Sequence, residues 1–285
     1  MAAESYRVFR YSLPAAVEDD VAAWLWRQGT SGSQVRDGRA GELLIDAFFP
    51  ETRSPGTLPA VLDAAGVRLA GAQAVAPADW LESYRAAARP LEIGRRLLVD
   101  PREPDAPAPV AGRRYWLRVP ARTAFGTGSH ESTRLVLELM EGLELSGKRV
   151  LDVGTGSGIL GLAALVHGAR AVVGFDLDLA APLVAAQNAG LNRLRPALFA
   201  GGAAALGARA GRFDVVLANV VPEQLLADLP ALAALVAPGG EALFSGLLVP
   251  QGRGFLARLR ALGLRRRSTR RAGEWVAYRL ARVGA

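Results

Sequence analysis

Nothing in this chain narrows its possible folds as far as the stretch Val150-Leu-Asp-Val-Gly-Thr-Gly-Ser-Gly158 and the rhythm that follows it. An apolar strand runs into glycines at 154, 156 and 158 and then into an apolar helix. Glycine allows tight turning there and lets the backbone approach a ligand at a helix N-terminus. From residue 147 onward, short apolar runs alternate with helical periodicity. The pattern predicts strands at Arg149–Val153, Ala171–Phe175, Ala197–Ala200, Phe213–Leu217 and Glu241–Ser245. Helices fit Gly158–His167, Leu179–Ala189, Gln224–Val236 and Gly252–Leu262. Such alternation makes the fold class α/β, a parallel sheet covered by helices on both faces. Two late strands, near 264–269 and 274–280, have a connection too short for anything but an antiparallel pair.

The front of the chain follows another pattern. Strands at Tyr6–Leu13, Glu42–Phe49 and Val67–Val75 bracket helices at Ala15–Gln28 and Leu58–Ala65, with glycine-rich turn residues after the first helix. Residues 1–76 therefore read as a small N-terminal α+β sandwich. Pro77-Ala-Asp79 opens a helix, Trp80 to Ala88, that Pro90 ends, so 77–90 reads as a linker helix. Leu91–Val99 is expected as one strand entering the second domain, 91–285, and the Pro/Ala-rich 100–112 as an exposed loop.

Composition excludes several chemistries. With 51% hydrophobic and 21% charged residues the chain is not mainly disordered. It has no cysteine, which removes thiol catalysis, disulfides and cysteine-ligated zinc. His130 and His167 are its only histidines, too few for a histidine-rich metal site, so no metal is expected. The formal net charge is +7, almost all the positive charge is arginine, and Lys148 is the only lysine. Net basicity favours polyanionic partners such as RNA or a ribonucleoprotein. The opening MAAESYRVFRYSLP lacks a signal's apolar core and no apolar run would span a bilayer, so a cytosolic protein without membrane contact is expected.

Four elements carry the chemistry. Dinucleotide binders need G-x-G-x-x-G, and Ile159 stands where the third glycine belongs. The alternating Gly154, Gly156 and Gly158, with Asp152 two residues ahead, resemble the S-adenosylmethionine loop of class I methyltransferases; the alternative is an ordinary strand–helix turn. Asp176 ends the next strand 22 residues after Gly154, near the spacing of about 20 at which a carboxylate meets ribose hydroxyls. A carboxylate accepts both hydrogen bonds of a vicinal diol. Asp176 or Asp178 capping the following helix is the competing reading, and Asp178 is the better placed of the two. Asn219 follows the fourth strand at the sheet edge where open α/β sheets bind ligands, although asparagine there is also an ordinary turn residue. Ala124-Phe-Gly-Thr-Gly-Ser-His-Glu-Ser-Thr133 precedes a helix starting near Glu131; it reads as a donor-rich lid, or as a helix start with Ser129 as N-cap.

Taken together, AFGTGSHEST, VLDVGTGSGILGLAAL, GFDLD and VLANVVPEQL resemble the PrmA family, bacterial methyltransferases of large-subunit ribosomal protein L-eleven. DWLESYRAAARPLEIGRRLLV resembles that family's linker helix and entry strand, so the likeness covers roughly 79–250. It implies a ferredoxin-like N-terminal substrate-recognition domain, a linker helix and a Rossmann-like catalytic domain using S-adenosylmethionine. By motif position, Thr133, Gly154, Asp176 and Asn219 fall where the family contacts the cofactor, and Phe125, Gly126 and His130 lie in its lid block. The chain departs from the family at Val119-Pro-Ala-Arg-Thr123, at Glu131 and at Leu179, where the family has Asp-Pro-Gly, proline and proline.

Methyl transfer from a sulfonium to an amine requires positioning more than acid–base chemistry, so no indispensable general base is expected. Asn219 would orient a neutral amine, with His130 either assisting or capping the lid. His167, at a helix end, reads as a partner of the helix dipole. Arg265, Arg266, Arg267, Arg270 and Arg271 read as the solvated face of a late strand, with contact to ribosomal RNA or to an acidic protein surface as the functional alternative. The expected activity is methylation of amino groups of the ribosomal protein, on lysine side chains, the N-terminal amine or both. Methylation of another protein or of RNA is the runner-up, and a non-catalytic binder that kept the fold is the third reading.

Overall fold

The computed structural model describes residues 6–30, 32–38, 42–75, 88–120, 130–206 and 211–283. The chain divides into two compact units, Met1–Ala86 and Ala87–Ala285. In the first, β1 (Tyr6–Pro14), α1 (Glu18–Arg27), β2 (Gly32–Asp37), β3 (Glu42–Pro50), α2 (Ala60–Ala64) and β4 (Arg68–Val75) follow one another. The sheet is antiparallel in the order β2-β3-β1-β4, the β-α-β-β-α-β arrangement of a ferredoxin-like unit. Alternation along β1 and β3 puts Phe9, Tyr11, Leu13, Ile45 and Phe49 on one face, where they pack with Val21, Trp24 and Leu25 of α1 and with Leu62 of α2. Strand β2 stands where glycine-rich turn residues were expected. It is an edge strand held by its pairing with β3, from Gly32 opposite Phe48 to Asp37 opposite Leu43. Its polar sequence GSQVRD carries no apolar alternation to announce it.

The second unit opens with β5 (Leu91–Ile93), β6 (Leu97–Asp100) and β7 (Tyr115–Arg118), a separate three-stranded sheet. The single strand expected over Leu91–Val99 is instead a hairpin, turned at Gly94 with φ +57°, and β7 pairs parallel to β6 without having been anticipated. Next come α3 (Glu131–Met140), β8 (Arg149–Val153), α4 (Ile159–Val166), β9 (Ala171–Asp176), α5 (Ala181–Leu191), β10 (Ala197–Ala200) and β11 (Phe213–Asn219). The chain continues through α6 (Pro222–Leu225), α7 (Leu229–Leu235), β12 (Val236–Leu248), α8 (Val249–Ala261), β13 (Leu264–Ala272) and β14 (Trp275–Arg282). The helix expected over Gln224–Val236 is two short pieces, because Pro230 suits only the first turn of a helix and so starts a new one after Asp228.

The seven-stranded sheet has the order β10-β9-β8-β11-β12-β14-β13, and within it only β14 runs against its neighbours. This is a Rossmann-like α/β sheet. Leu151, Phe213, Val216, Phe244 and Leu280 are its buried centre, sealed by Leu229 and Leu232 of α7 and by Phe255 and Leu259 of α8. The chain moves outward from β8 to β9 and β10, then returns to place β11 on the other side of β8. A crevice forms at such a reversal, beyond the carboxyl ends of the two strands. The expected linker helix falls largely on residues 76–87, and the block 121–129, with Phe125, Gly126 and Ser129, also lies outside the described residues. Among the described residues no helix is long and apolar enough to cross a membrane, and no group of three or more acidic or histidine side chains is placed to hold a metal ion.

Candidate functional site at the strand reversal

The loop after β8 takes its shape from three left-handed glycines, Gly154, Gly156 and Gly158, with φ of +65°, +52° and +83°. Space is short as well: a Cβ on Gly154 would stand 2.5 Å from Val220 Cγ2, and one on Gly158 would stand 2.9 Å from Ala185 Cβ. The loop amides are largely spent inside the protein. Thr155 N donates to Phe175 O (2.9 Å) and Gly158 N to Thr155 O (2.7 Å), while Gly156 N donates to Asp176 Oδ2 (2.9 Å). A phosphate cradle needs such amides turned outward. The geometry therefore agrees with the missing third glycine in pointing away from a dinucleotide.

Asp152 lies beneath this loop, 1% exposed. Its Oδ2 accepts from Thr155 Oγ1 (2.8 Å) and Gly161 N (3.0 Å), and its Oδ1 is buried with no hydrogen-bond partner among the described residues. Burial pushes the carboxyl up to about 7; the bonds from Thr155 and Gly161 pull the other way, and nearby Asp176 adds to the rise. The expectation that Asp152 contacts a ligand is corrected, because a carboxylate this buried braces the loop from inside. Asn188 of α5, fully buried, is a second brace, donating through Nδ2 to Ser157 O (2.9 Å). Sequence reading missed it, although a lone asparagine on the apolar face of a helix is a visible signal.

Asp176 ends β9 half-buried. Its Oδ2 takes the Gly156 amide and its Oδ1 the Asp178 amide (3.1 Å). Each carboxylate oxygen has capacity for another donor, so the carboxylate can still accept from a diol. Asp178 accepts from Ala180 N (2.9 Å) in a turn ahead of α5, whose N-cap is Ala180 with no side-chain bond, so neither aspartate is the helix cap.

On the other side of the crevice, Ala218 pairs with Val153, which puts Asn219 beside the first glycine of the loop. Asn219 Nδ2 donates to Thr133 Oγ1 at 2.9 Å across 86 residues of sequence. Thr133 is 1% exposed in the first turn of α3. Among the described residues the buried Asn219 Oδ1 has no hydrogen-bond partner, and such an acceptor is costly to bury until a donor reaches it.

His130, not Ser129, caps α3: its Nδ1 accepts from Ser132 N (3.3 Å) and meets Ser132 Oγ (2.8 Å). Its ring sits edge-on to Trp275 with centroids 4.7 Å apart. Burial holds its pKa below the ordinary histidine value, against the pull of Glu131, so the ring is neutral at pH 7. The pKa of His167 is also lowered, by burial first and Arg96 second, against the pull of Glu141. The residue stands at the C-cap of α4, where the expectation put it, and packs edge-on to Tyr115.

One further residue matters here and was not anticipated. Gly246, at φ +81°, would carry a Cβ 2.7 Å from Val220 C and O and 2.9 Å from Val220 N. The residue following Asn219 is thus hemmed between Gly154, just past β8, and Gly246, inside β12 at its register shift.

A family model described as Ribosomal protein L11 methyltransferase (PrmA) matches residues 18–282. Relatives named ribosomal protein L11 methyltransferase include that of Pelobacter propionicus, 41% identical over 207 residues, covering 70% of this chain and 65% of the relative. That of Geobacter sulfurreducens is 42% identical over 198 residues, covering 69% and 64%. The chain thus matches just under two thirds of the length of these relatives. Among solved structures, a ribosomal protein L11 methylase from Lactobacillus delbrueckii subsp. bulgaricus superposes with a TM-score of 0.62 at 30% identity, over 68% of this chain and 99% of that one. The family match opens at the first residue of α1 and closes at the last of β14; it runs through both compact units, and the chain belongs to the ribosomal protein L11 methyltransferase (PrmA) family.

Proposed function

We propose that this chain is an S-adenosylmethionine-dependent protein N-methyltransferase acting on amino groups of ribosomal protein L11, on lysine side chains, the N-terminal amine or both. The observation that carries the reading is the Asn219 amide, fixed through Nδ2 by Thr133 with its Oδ1 buried and unpartnered at the strand reversal. An amine N–H is the donor that acceptor lacks. The names of the relatives support the substrate.

The residues present fit the cofactor. Gly154 and Gly158 let the loop close against Val220 and Ala185 where a side chain would clash, and Asp176 keeps acceptor capacity for the ribose hydroxyls. Phe125 and Gly126 are assigned to the same site on the family resemblance alone. When bound, S-adenosylmethionine supplies an activated methyl group, so the protein needs no nucleophile of its own. Asn219 Oδ1 would take one N–H of the incoming amine and aim the nitrogen lone pair along the line of attack. Burial favours the neutral amine that this attack requires. Thr133 fixes which end of the Asn219 amide faces the amine, and His130 caps the helix that carries Thr133. His130 is then a positioning residue and not a proton carrier. Residues 1–76 serve as the substrate-recognition unit, 77–90 as the linker helix and 91–285 as the catalytic unit, in a cytosolic enzyme.

A tritiated-methyl transfer assay offering purified protein L11, whole ribosomal proteins and ribosomal RNA side by side tests this. Label in the first is expected. Label confined to another protein or to RNA overturns the substrate, and no label anywhere, with no cofactor binding, overturns the activity.

A further inference from the structure

The positive charge of this chain is not spread evenly. Residues 249–273, which run from α8 through β13 to Gly273, hold eight arginines and no aspartate or glutamate, and Glu274 in the β13–β14 turn is the one acid at their border. The chain carries a formal +7, so removing these eight charges leaves the rest at −1. A general preference for arginine in this chain does not explain that. Elsewhere arginine is balanced by acid, and here it is not.

The fold gathers this charge on one edge. β13 is the outermost strand of the seven-stranded sheet, and Arg265, Arg266, Arg267, Arg270 and Arg271 are all exposed on it. A register shift between Arg266 and Ser268 interrupts simple alternation. Arg270 lies opposite Ala277 and Arg271 opposite Val276, so adjacent arginines emerge on the two faces of the sheet. Arg253, Arg258 and Arg260 are exposed on α8, which leads into the strand. Among the described residues none of the five strand arginines is in an ion pair, and Arg266 Nη1 to Thr269 Oγ1 (3.4 Å) is the side-chain hydrogen bond recorded for them. One or two charges suffice to keep an edge strand from pairing with another sheet. Five, with three more on the adjoining helix, exceed that need.

We propose that the outer edge formed by β13 and α8 docks the phosphate backbone of RNA, at a surface separate from the strand reversal. RNA is favoured over an acidic protein by what the edge lacks. Protein interfaces depend on buried aromatic or aliphatic anchors, and β13 has no exposed large apolar side chain. Binding to a nucleic-acid backbone needs only phosphate contacts, which guanidinium groups make in bidentate geometry.

The test is anisotropy titration of a fluorescent RNA hairpin with the full chain, repeated over a salt series. Should all five strand arginines meet phosphates, log K falls with log[salt] at a slope near −4 to −5, at about −0.9 per phosphate. Replacing all five by glutamine should remove about one unit of slope for each arginine, and replacing them by lysine should retain most of it. A glutamine variant that does not fold is recognised by lost near-ultraviolet dichroism; Arg253, Arg258 and Arg260→Gln on α8 then carry the test, with a smaller loss of slope expected. The proposal is overturned if the parent chain does not bind the hairpin at low salt, or if folded glutamine variants bind with the parent affinity and slope. It is also overturned, in favour of an acidic protein, if a polyglutamate peptide binds the edge as tightly as the RNA.

Discussion

Gly246→Ala places a methyl group where the backbone of Val220 already stands, so its consequence can be worked out in advance. Two costs arise. The first is conformational: φ is +81°, and a non-glycine residue in the left-handed region costs about 1–2 kcal/mol. The second is steric: a Cβ at 2.7 Å from backbone carbon and oxygen must be relieved to at least 3.4 Å for ordinary contact, and overpacking of this kind costs about 1–3 kcal/mol. If the Val220 segment stays put, the variant loses about 2–5 kcal/mol, which at about 2–4 °C per kcal/mol is a melting-point drop of at least about 4 °C. If the segment yields, it moves by about 0.7 Å, the difference between the two distances above. Asn219 is its covalent neighbour, and misplacements near 1 Å cost about 10²-fold in rate. Gly263→Ala is the matched control: φ is +82° with nothing within 4 Å of its Cβ, so it carries the conformational cost without the clash. Thermal unfolding and kcat for methyl transfer, measured on both variants, separate the terms. A Gly246→Ala protein that melts with the Gly263→Ala control and keeps its parent kcat would refute the reasoning.

Three other outcomes follow from the same geometry. Thr133→Val should lower kcat by about 10-fold or more, as expected when a polar positioning contact is removed, whereas Thr133→Ser should retain most activity; equal activity of the valine and serine variants denies Thr133 its hold on Asn219. Asp176→Ala should weaken S-adenosylmethionine binding without unfolding the protein, and unchanged affinity by calorimetry would remove Asp176 from the ribose site. Asp152 has a folded-state pKa raised by burial to about 7, so between the ordinary carboxylate value and pH 7 the folded state holds a proton that the unfolded state has lost. Stability should therefore fall as pH rises through that window, by up to about 1.4 kcal/mol per pH unit, and level off above it. Chemical denaturation of Asp152→Asn should show a flatter profile, and an unaltered slope would count against the assignment.

What was legible in the sequence depended on whether a residue's partner is near in the chain or far. Strand β8 and its glycine loop stand where they were read, as do β10 and the start of α3, because an apolar run bounded by glycines is a local signal. Strand β2 was hidden because its stability comes from pairing with β3 and not from its own polar residues. The hairpin at Gly94 and the parallel strand β7 were missed for a related reason, since strands of three or four residues are too short to show a period. At the site, the glycines, Asp176 and Asn219 were visible as types in a pattern, but their hydrogen bonds were not. No local rule connects Thr133 with Asn219 over 86 residues, or announces that Asp152 faces inward while Asp176 does not. Gly246 looked like any glycine after a strand until the backbone packed against it was known.

The balance of donors and acceptors explains why a loop so near the dinucleotide pattern is suited to a different ligand. Three amides of the glycine loop are consumed, by Phe175 O, Thr155 O and Asp176 Oδ2, so its glycines contribute left-handed turns and close packing, and those amides are not offered to a ligand. What the crevice offers is acceptance: the unpartnered Oδ1 of Asn219 and the remaining capacity of the Asp176 carboxylate. A phosphate brings only acceptors and negative charge to such a site, and among the described residues it would face a carboxylate and loop amides that are already bonded. A ligand with a cationic centre and a vicinal diol, approached by an amine, brings donors and positive charge. Completing the motif by placing glycine at Ile159 would not reverse this, since the amides that would have to turn outward are already bonded to Asp176 and to the loop's own backbone.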